Sequence, residues 1–144
     1  MKKTLVLLLL SSSLATYAAT TNCFNNHINE DMCTQAAKMA MDIRPHLPLT
    51  MSERIEMYSI ESQENKLIAH VKIDMSEEEI LTTAKQNHIP PEIVKTRMAE
   101  QAKIGVCEQK NPIRSFIRLG GEMQYIYTHP SGKIYNTVTI TSCE

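Results

Sequence analysis

Residues 89–143 read IPPEIVKTRMAEQAKIGVCEQKNPIRSFIRLGGEMQYIYTHPSGKIYNTVTITSC, and the change of period inside this stretch decides the fold. Pro90-Pro91 can open a helix, because first-turn N–H groups need no intrahelical acceptor. Val94, Met98, Ala102 and Val106 then recur at a spacing of four, and Ile93 and Ala99 widen this into one apolar side. Lys95, Arg97, Glu100, Gln101 and Lys103 fill the wet side, while Gly105 weakens the last turn and puts Cys107 near its end. Pro112 to Leu119 predicts a short helix with Ile113, Phe116 and Ile117 inward, ended by Gly120-Gly121. From Met123 the period drops to two. Met123, Tyr125 and Tyr127 lead to a His129-Pro130-Ser131-Gly132 turn and then to Ile134, Val138 and Ile140, an antiparallel hairpin. Pro second and Gly fourth suit a type I turn, and Thr137, Thr139 and Thr141 take the opposite face. A Cys107–Cys143 bond would tie the long helix to the last strand.

Upstream, Asn22 to Ala40 predicts a helix whose stripe is Ile28, Met32, Ala36, Met39 and Ile43. Asn26 or Asn29 is the expected cap, and Pro45 and Pro48 end the helix by removing backbone N–H groups. Met51, Ile55 and Met57 then alternate with Ser52, Arg54 and Glu56, the mark of a half-buried strand. A polar link, Glu61 to Lys66, precedes Leu67, Ala69, Val71 and Ile73, so these two runs predict a first hairpin. Ser76 with Glu79 three residues on is a capping-box signature, and Ile80, Leu81 and Ala84 are the expected buried side of the next helix. The expected fold is α+β: a four-stranded antiparallel sheet made of two hairpins, packed by three to four helices and stapled by disulfides.

The first residues predict export. Lys2-Lys3, the apolar run Leu5 to Leu10, and the small residue Ala18 follow the order of a secretory leader, so residues 1–18 are expected to be a signal peptide and 19–144 a single domain. Thr20-Thr21-Asn22 before Cys23 does not fit a lipid-attachment site, and no second apolar run is long enough to span a membrane. Losing Lys2 and Lys3 leaves 13 basic against 16 acidic residues, a formal charge near −3. That mild acidity argues against nucleic acid and against anionic membrane surfaces. The four cysteines, Cys23, Cys33, Cys107 and Cys143, allow three pairings, and an even number in an exported chain favours disulfides. The compact pairing is Cys23–Cys33 with Cys107–Cys143.

Catalytic patterns are missing from the sequence. It has no Gly-x-Ser-x-Gly elbow, no phosphate-cradling glycine loop and no Cys-x-x-Cys motif. His27, His46, His70, His88 and His129 are scattered. His27 and Asp31 share a helical spacing, but no third ligand is implied, so no metal and no cofactor is expected. Glu53 falls in the parity of Met51, Ile55 and Met57 and is the carboxylate whose surroundings matter most. Nine methionines, among them Met32, Met39, Met41, Met51, Met57, Met75, Met98 and Met123, suit either core packing or an adaptable groove. Tyr125, Tyr127 and Tyr135, with Arg114 and Arg118 nearby in sequence, form the candidate interaction surface.

Cys107, the short helix to Leu119-Gly120, Glu122 to Tyr127, Ser131-Gly132-Lys133 and Cys143 together resemble a family of small uncharacterised exported proteins of Gram-negative bacteria. One branch of it is described as quorum-sensing-regulated virulence factors. The resemblance implies export and an α+β architecture and carries no catalytic pattern onto this chain; the Cys23/Cys33 pair and the short Glu61 to Lys66 link depart from it. The expected function is a non-enzymatic periplasmic or secreted protein that binds another protein of the envelope or host, as an accessory or virulence-associated factor. A small-molecule or lipid-binding domain with a methionine-lined pocket is the second reading, and a small hydrolase the third.

Overall fold

Residues 23–25 and 29–144 are described by a computed structural model. The expected leader, together with Asn26, His27 and Ile28, lies outside them. Phe24–Asn25 (β1) pairs antiparallel with Glu30–Asp31 (β2), and helix α1 (Met32–Ile43) starts directly from that pair. A meander follows: β3 (Leu49–Ser52), β4 (Ile55–Gln63) and β5 (Lys66–Ile73). Three helices come next, α2 (Glu77–Gln86), α3 (Val94–Cys107) and α4 (Pro112–Arg118), and then the terminal hairpin of β6 (Glu122–Thr128) and β7 (Ile134–Ile140).

The sheet corrects the expectation of four antiparallel strands. It has five, in the order β3-β4-β5-β6-β7, and β5 and β6 run parallel. The first hairpin places β5 inside rather than at an edge, and a parallel neighbour requires a long crossover, which α2, α3 and α4 supply. The extra strand comes from the run Met51 to Met57. It is not one strand but a reversal: Glu53-Arg54 is a turn, with Leu49 opposite Met57. Glu53 is therefore exposed at that turn instead of sitting on the apolar face. The polar link is shorter than expected, because β4 continues to Gln63 and only Glu64 and Asn65 turn.

One face of the sheet carries the helices. Leu67, Ala69, Val71 and Ile73 of β5 join Met123, Tyr125 and Tyr127 of β6 and Val138 and Ile140 of β7. Met32, Ala36 and Ala40 of α1, Ala102 and Val106 of α3, and Phe116 and Ile117 of α4 close the same core from above. On the other face Glu56, Lys72, Thr137 and Thr139 are exposed.

Two bulges shift which residues point inward. Met57 faces Val71 but Ser59 faces His70, so Tyr58 is left over and Ile60 turns into the core. Tyr127 faces Asn136 while Thr128 faces Ile134, so Tyr135 is the extra residue. An added residue flips the parity of what precedes it. Ile134, expected inward, is thus 58% exposed, and Tyr135 is buried.

Helix starts follow their caps. Ser76 Oγ accepts from Glu79 N while the Glu79 carboxylate accepts from Ser76 N, the predicted reciprocal pair. Leu81, expected on the buried side of this helix, is exposed. The α1 helix begins later than the stripe suggests. Asp31, not Asn26 or Asn29, caps it through Cys33 N and Thr34 N at 2.9 and 3.2 Å. The Cys23–Cys33 bridge and the β1–β2 pair hold the preceding residues out of the helix. Gly121 is fixed by packing: a Cβ there would overlap the buried Phe116 ring.

The two bridges are Cys23–Cys33 and Cys107–Cys143, with Cα atoms 4.9 and 5.4 Å apart, the compact pairing. They span 10 and 36 residues of sequence. Chain-entropy scaling makes removal of the long loop cost about 4 kcal/mol and of the short one about 3 kcal/mol. Urea denaturation of Cys107→Ala/Cys143→Ala should therefore show the larger loss. A larger loss from Cys23→Ala/Cys33→Ala would contradict it.

Candidate functional site

Helix α3 has two working sides. Ala102 and Val106 enter the core, while Arg97, Met98, Gln101 and Gly105 line an adjoining face. Across from that face the β3–β4 turn brings up Met51, Ser52 and Ile55. Between the two walls the sheet is uncovered, and its floor is the pair Tyr125 and Tyr127, whose rings stack with centroids 6.0 Å apart. The result is a groove of about 500 Å³, open to solvent along one side. Gly105 deepens it, since a Cβ there would meet nothing within 4 Å. Met51 remains 40% exposed, so the rim on the β3 side is apolar as well as the walls.

The polar groups of the groove are few. Neither tyrosine hydroxyl has a hydrogen-bond partner among the described residues. Burial, helped by the neighbouring Tyr127, pushes the Tyr125 phenol far above its ordinary range, and burial alone pushes Tyr127 up to about 12. Both hydroxyls stay protonated and can donate. Arg97 is the one charged residue of the lining, and no described carboxylate pairs with it. Four other cations are engaged: Arg54 with Glu79, Lys66 with Glu122, Lys133 with Glu77, and Lys95 over the Tyr135 ring at 4.8 Å.

The five residues of the expected interaction surface fall in different places. Tyr125 and Tyr127 floor the groove, whereas Tyr135 is buried at its bulge against His129, ring centroids 5.0 Å apart. Arg114 is half-buried on α4 with its Nε enclosed, Arg118 is exposed at the end of that helix, and neither lines the groove. Of the methionines, Met51 and Met98 line it, while Met32, Met57 and Met123 are core. His129 is the one buried polar residue apart from the tyrosines among those described. Its Nδ1–H donates to the Met75 carbonyl at 2.9 Å, tying the last turn to the segment before α2. Asp31 lies beside Cys23 and Cys33, but those two sulfurs are bonded to each other and offer no thiolate; His27, its expected companion, is outside the described residues.

The fold is shared. A protein of Pseudomonas aeruginosa described as secreted matches with a TM-score of 0.58 at 19% identity, covering 78% of this chain and 93% of that one. A type 2 secretion system pilotin of Vibrio vulnificus matches at 0.60 and 13% identity, covering 78% and 92%. A type II pilotin of Vibrio cholerae matches at 0.57 and 14%, covering 76% and 88%. No protein-family model and no curated protein matches the sequence.

The sequence carried one signal for the groove that pattern reading took only as a weakened last turn: Gly105, which leaves room on the side of α3 that Arg97 and Gln101 share. Two outcomes check the groove's construction. Gly105→Ala should raise stability by about 0.5–1 kcal/mol in thermal unfolding, because a helix gains an alanine that touches nothing. In alkali, the raised tyrosines act in the destabilising direction. A group whose folded pKa lies above its unfolded value contributes stability that is lost as pH rises, here from about 10, the unfolded phenol value, through 12. Phenolate absorbance should show Tyr125 and Tyr127 ionising late, together with unfolding, with Tyr135 also held above its ordinary value by burial, and Tyr127→Phe should flatten that alkaline fall.

Proposed function

We propose that the protein is exported behind residues 1–18 and works in the cell envelope as an accessory protein that holds a segment of a partner protein in the α3 groove. The observation that carries this reading is the groove itself: an open, mainly apolar trough with Met51 exposed on its rim. Exposed apolar surface beside polar residues marks interaction sites. Two disulfides suit an oxidising compartment outside the cytoplasm. No described helix is long and apolar enough to cross a membrane. The fold-mates, one described as secreted and two as secretion-system pilotins, support the same kind of role. Kinship with the quorum-sensing-regulated virulence branch belongs to this proposal and assigns no residue to the groove.

The geometry favours a polypeptide over a lipid. Small-molecule sites bury most of their ligand's surface, and this trough is open along one side. A hydrolase would call for a base beside a nucleophile or a converging set of carboxylates, and buried His129 instead meets a backbone carbonyl and a tyrosine ring.

A photo-crosslinking residue placed at Met51, in cells, should yield one discrete adduct to an envelope protein. The same residue at Thr139, on the opposite face, should yield none, and adding Gly105→Phe to fill the groove should abolish the first. Equal labelling from both positions, or none from Met51, overturns the reading.

A further inference from the structure

Arg97 sets the chemistry of whatever fills this groove. Any occupant that covers the rim takes water from the guanidinium, and a charge stripped of water without a partner is expensive. The described residues supply no anion for it: the groove lining contains no carboxylate, and the nearby turn cation, Arg54, already holds Glu79. For the same reason an incoming carboxylate meets no like charge from the lining. Two protonated phenol hydroxyls on the floor, with no hydrogen-bond partner among the described residues, can each turn a donor toward a carboxylate. Ser52 and Gln101 can donate or accept, so the one charge of the lining, on Arg97, decides for an acceptor with negative charge, set within apolar surroundings of Met51, Ile55, Met98 and Ala102.

We propose that the groove is selective for an apolar polypeptide segment bearing one acidic side chain, whose carboxylate pairs with Arg97 while its neighbours pack against the methionine walls. This rests on the reading that the groove holds a partner segment and adds the partner's chemistry. Arginine forms forked, charge-assisted bonds to carboxylates, which are stronger than neutral hydrogen bonds and restrict where along the segment the acid sits. Segments with lysine at that place are repelled, so Arg97 excludes as well as attracts.

The test uses the oxidised protein purified from the periplasm and a displayed library of random 12-residue peptides. The expected result is enrichment of apolar peptides carrying Asp or Glu. A synthetic consensus peptide is then compared with its Glu→Gln and Glu→Lys forms by fluorescence polarisation. Arg97→Glu should weaken the acidic peptide by about 10-fold, the scale of one charge-assisted contact, and should favour the Glu→Lys form instead. Arg97→Lys should keep the acidic preference in weakened form. Gly105→Phe, or Met51→Lys at the exposed rim should the first variant misfold, removes binding of every peptide. Peptides that bind through the groove with no acidic preference, unchanged by Arg97→Glu, overturn this proposal and leave the partner-binding reading standing. If no peptide is enriched, or if binding survives both Gly105→Phe and Met51→Lys, both fail. Binding of a fluorescent fatty acid, with no peptide enriched, would assign the groove to a lipid and overturn both.

Discussion

The parallel junction of β5 and β6 holds the sheet in one piece. Residues Lys66 to Lys72 pair in step with Glu122 to Thr128, joining a three-stranded meander to a terminal hairpin that lies far away in sequence. Its beginning is reinforced three ways: Glu122 N–H donates to the Asn65 carbonyl, Asn65 Nδ2 donates to the Gly120 carbonyl, and Lys66 pairs with Glu122 at 3.4 Å. Thr128 Oγ1 reaches the Val71 carbonyl at the other end. Without this seam the meander and the hairpin would be separate pieces, and a two-stranded hairpin is marginal in water alone. With it, β5 becomes an interior strand, and its fully buried residues, Leu67, Val71 and Ile73, centre the core.

The seam also explains where the groove lies. A parallel connection must travel back along the sheet, and here it does so as three helices on one face. Helix α1 already packs on β4 and β5, so α3 settles over β7 and the space toward the β3–β4 turn stays open above Tyr125 and Tyr127. The groove is a remainder of the packing, and its walls come from elements with separate structural duties. Ala102 and Val106 hold α3 down, which leaves Arg97 and Gln101 free to face outward.

Local features were legible in the sequence, and non-local ones were not. The Ser76–Glu79 cap, the α3 stripe, the Pro112 helix and the last hairpin each depend on residues within a few positions of one another. Both disulfides matched the most compact pairing. The fifth strand was hidden because Ser52-Glu53-Arg54 contains none of the Gly, Pro, Asn or Asp residues that mark tight turns. The spacing of three from Met57 to Ile60 was the trace of a bulge, and Ile134 was misplaced by the second bulge at Tyr135. Adjacency of β5 and β6 depends on side chains separated by three helices, which no period reports. Tyr125 and Tyr127 were singled out for their type. Their place at the bottom of a trough follows only from the helix laid beside them.

The Cys107–Cys143 bridge imposes an order on the molecule's maturation. One sulfur ends the helix that walls the groove, and the other lies just beyond the final strand. The wall can be locked only once β7 is in place and an oxidant is present. With both thiols reduced, that helix is held by noncovalent packing alone. Locking of the wall is thereby tied to oxidation, so the bridge registers the redox conditions the chain has met as well as fastening it.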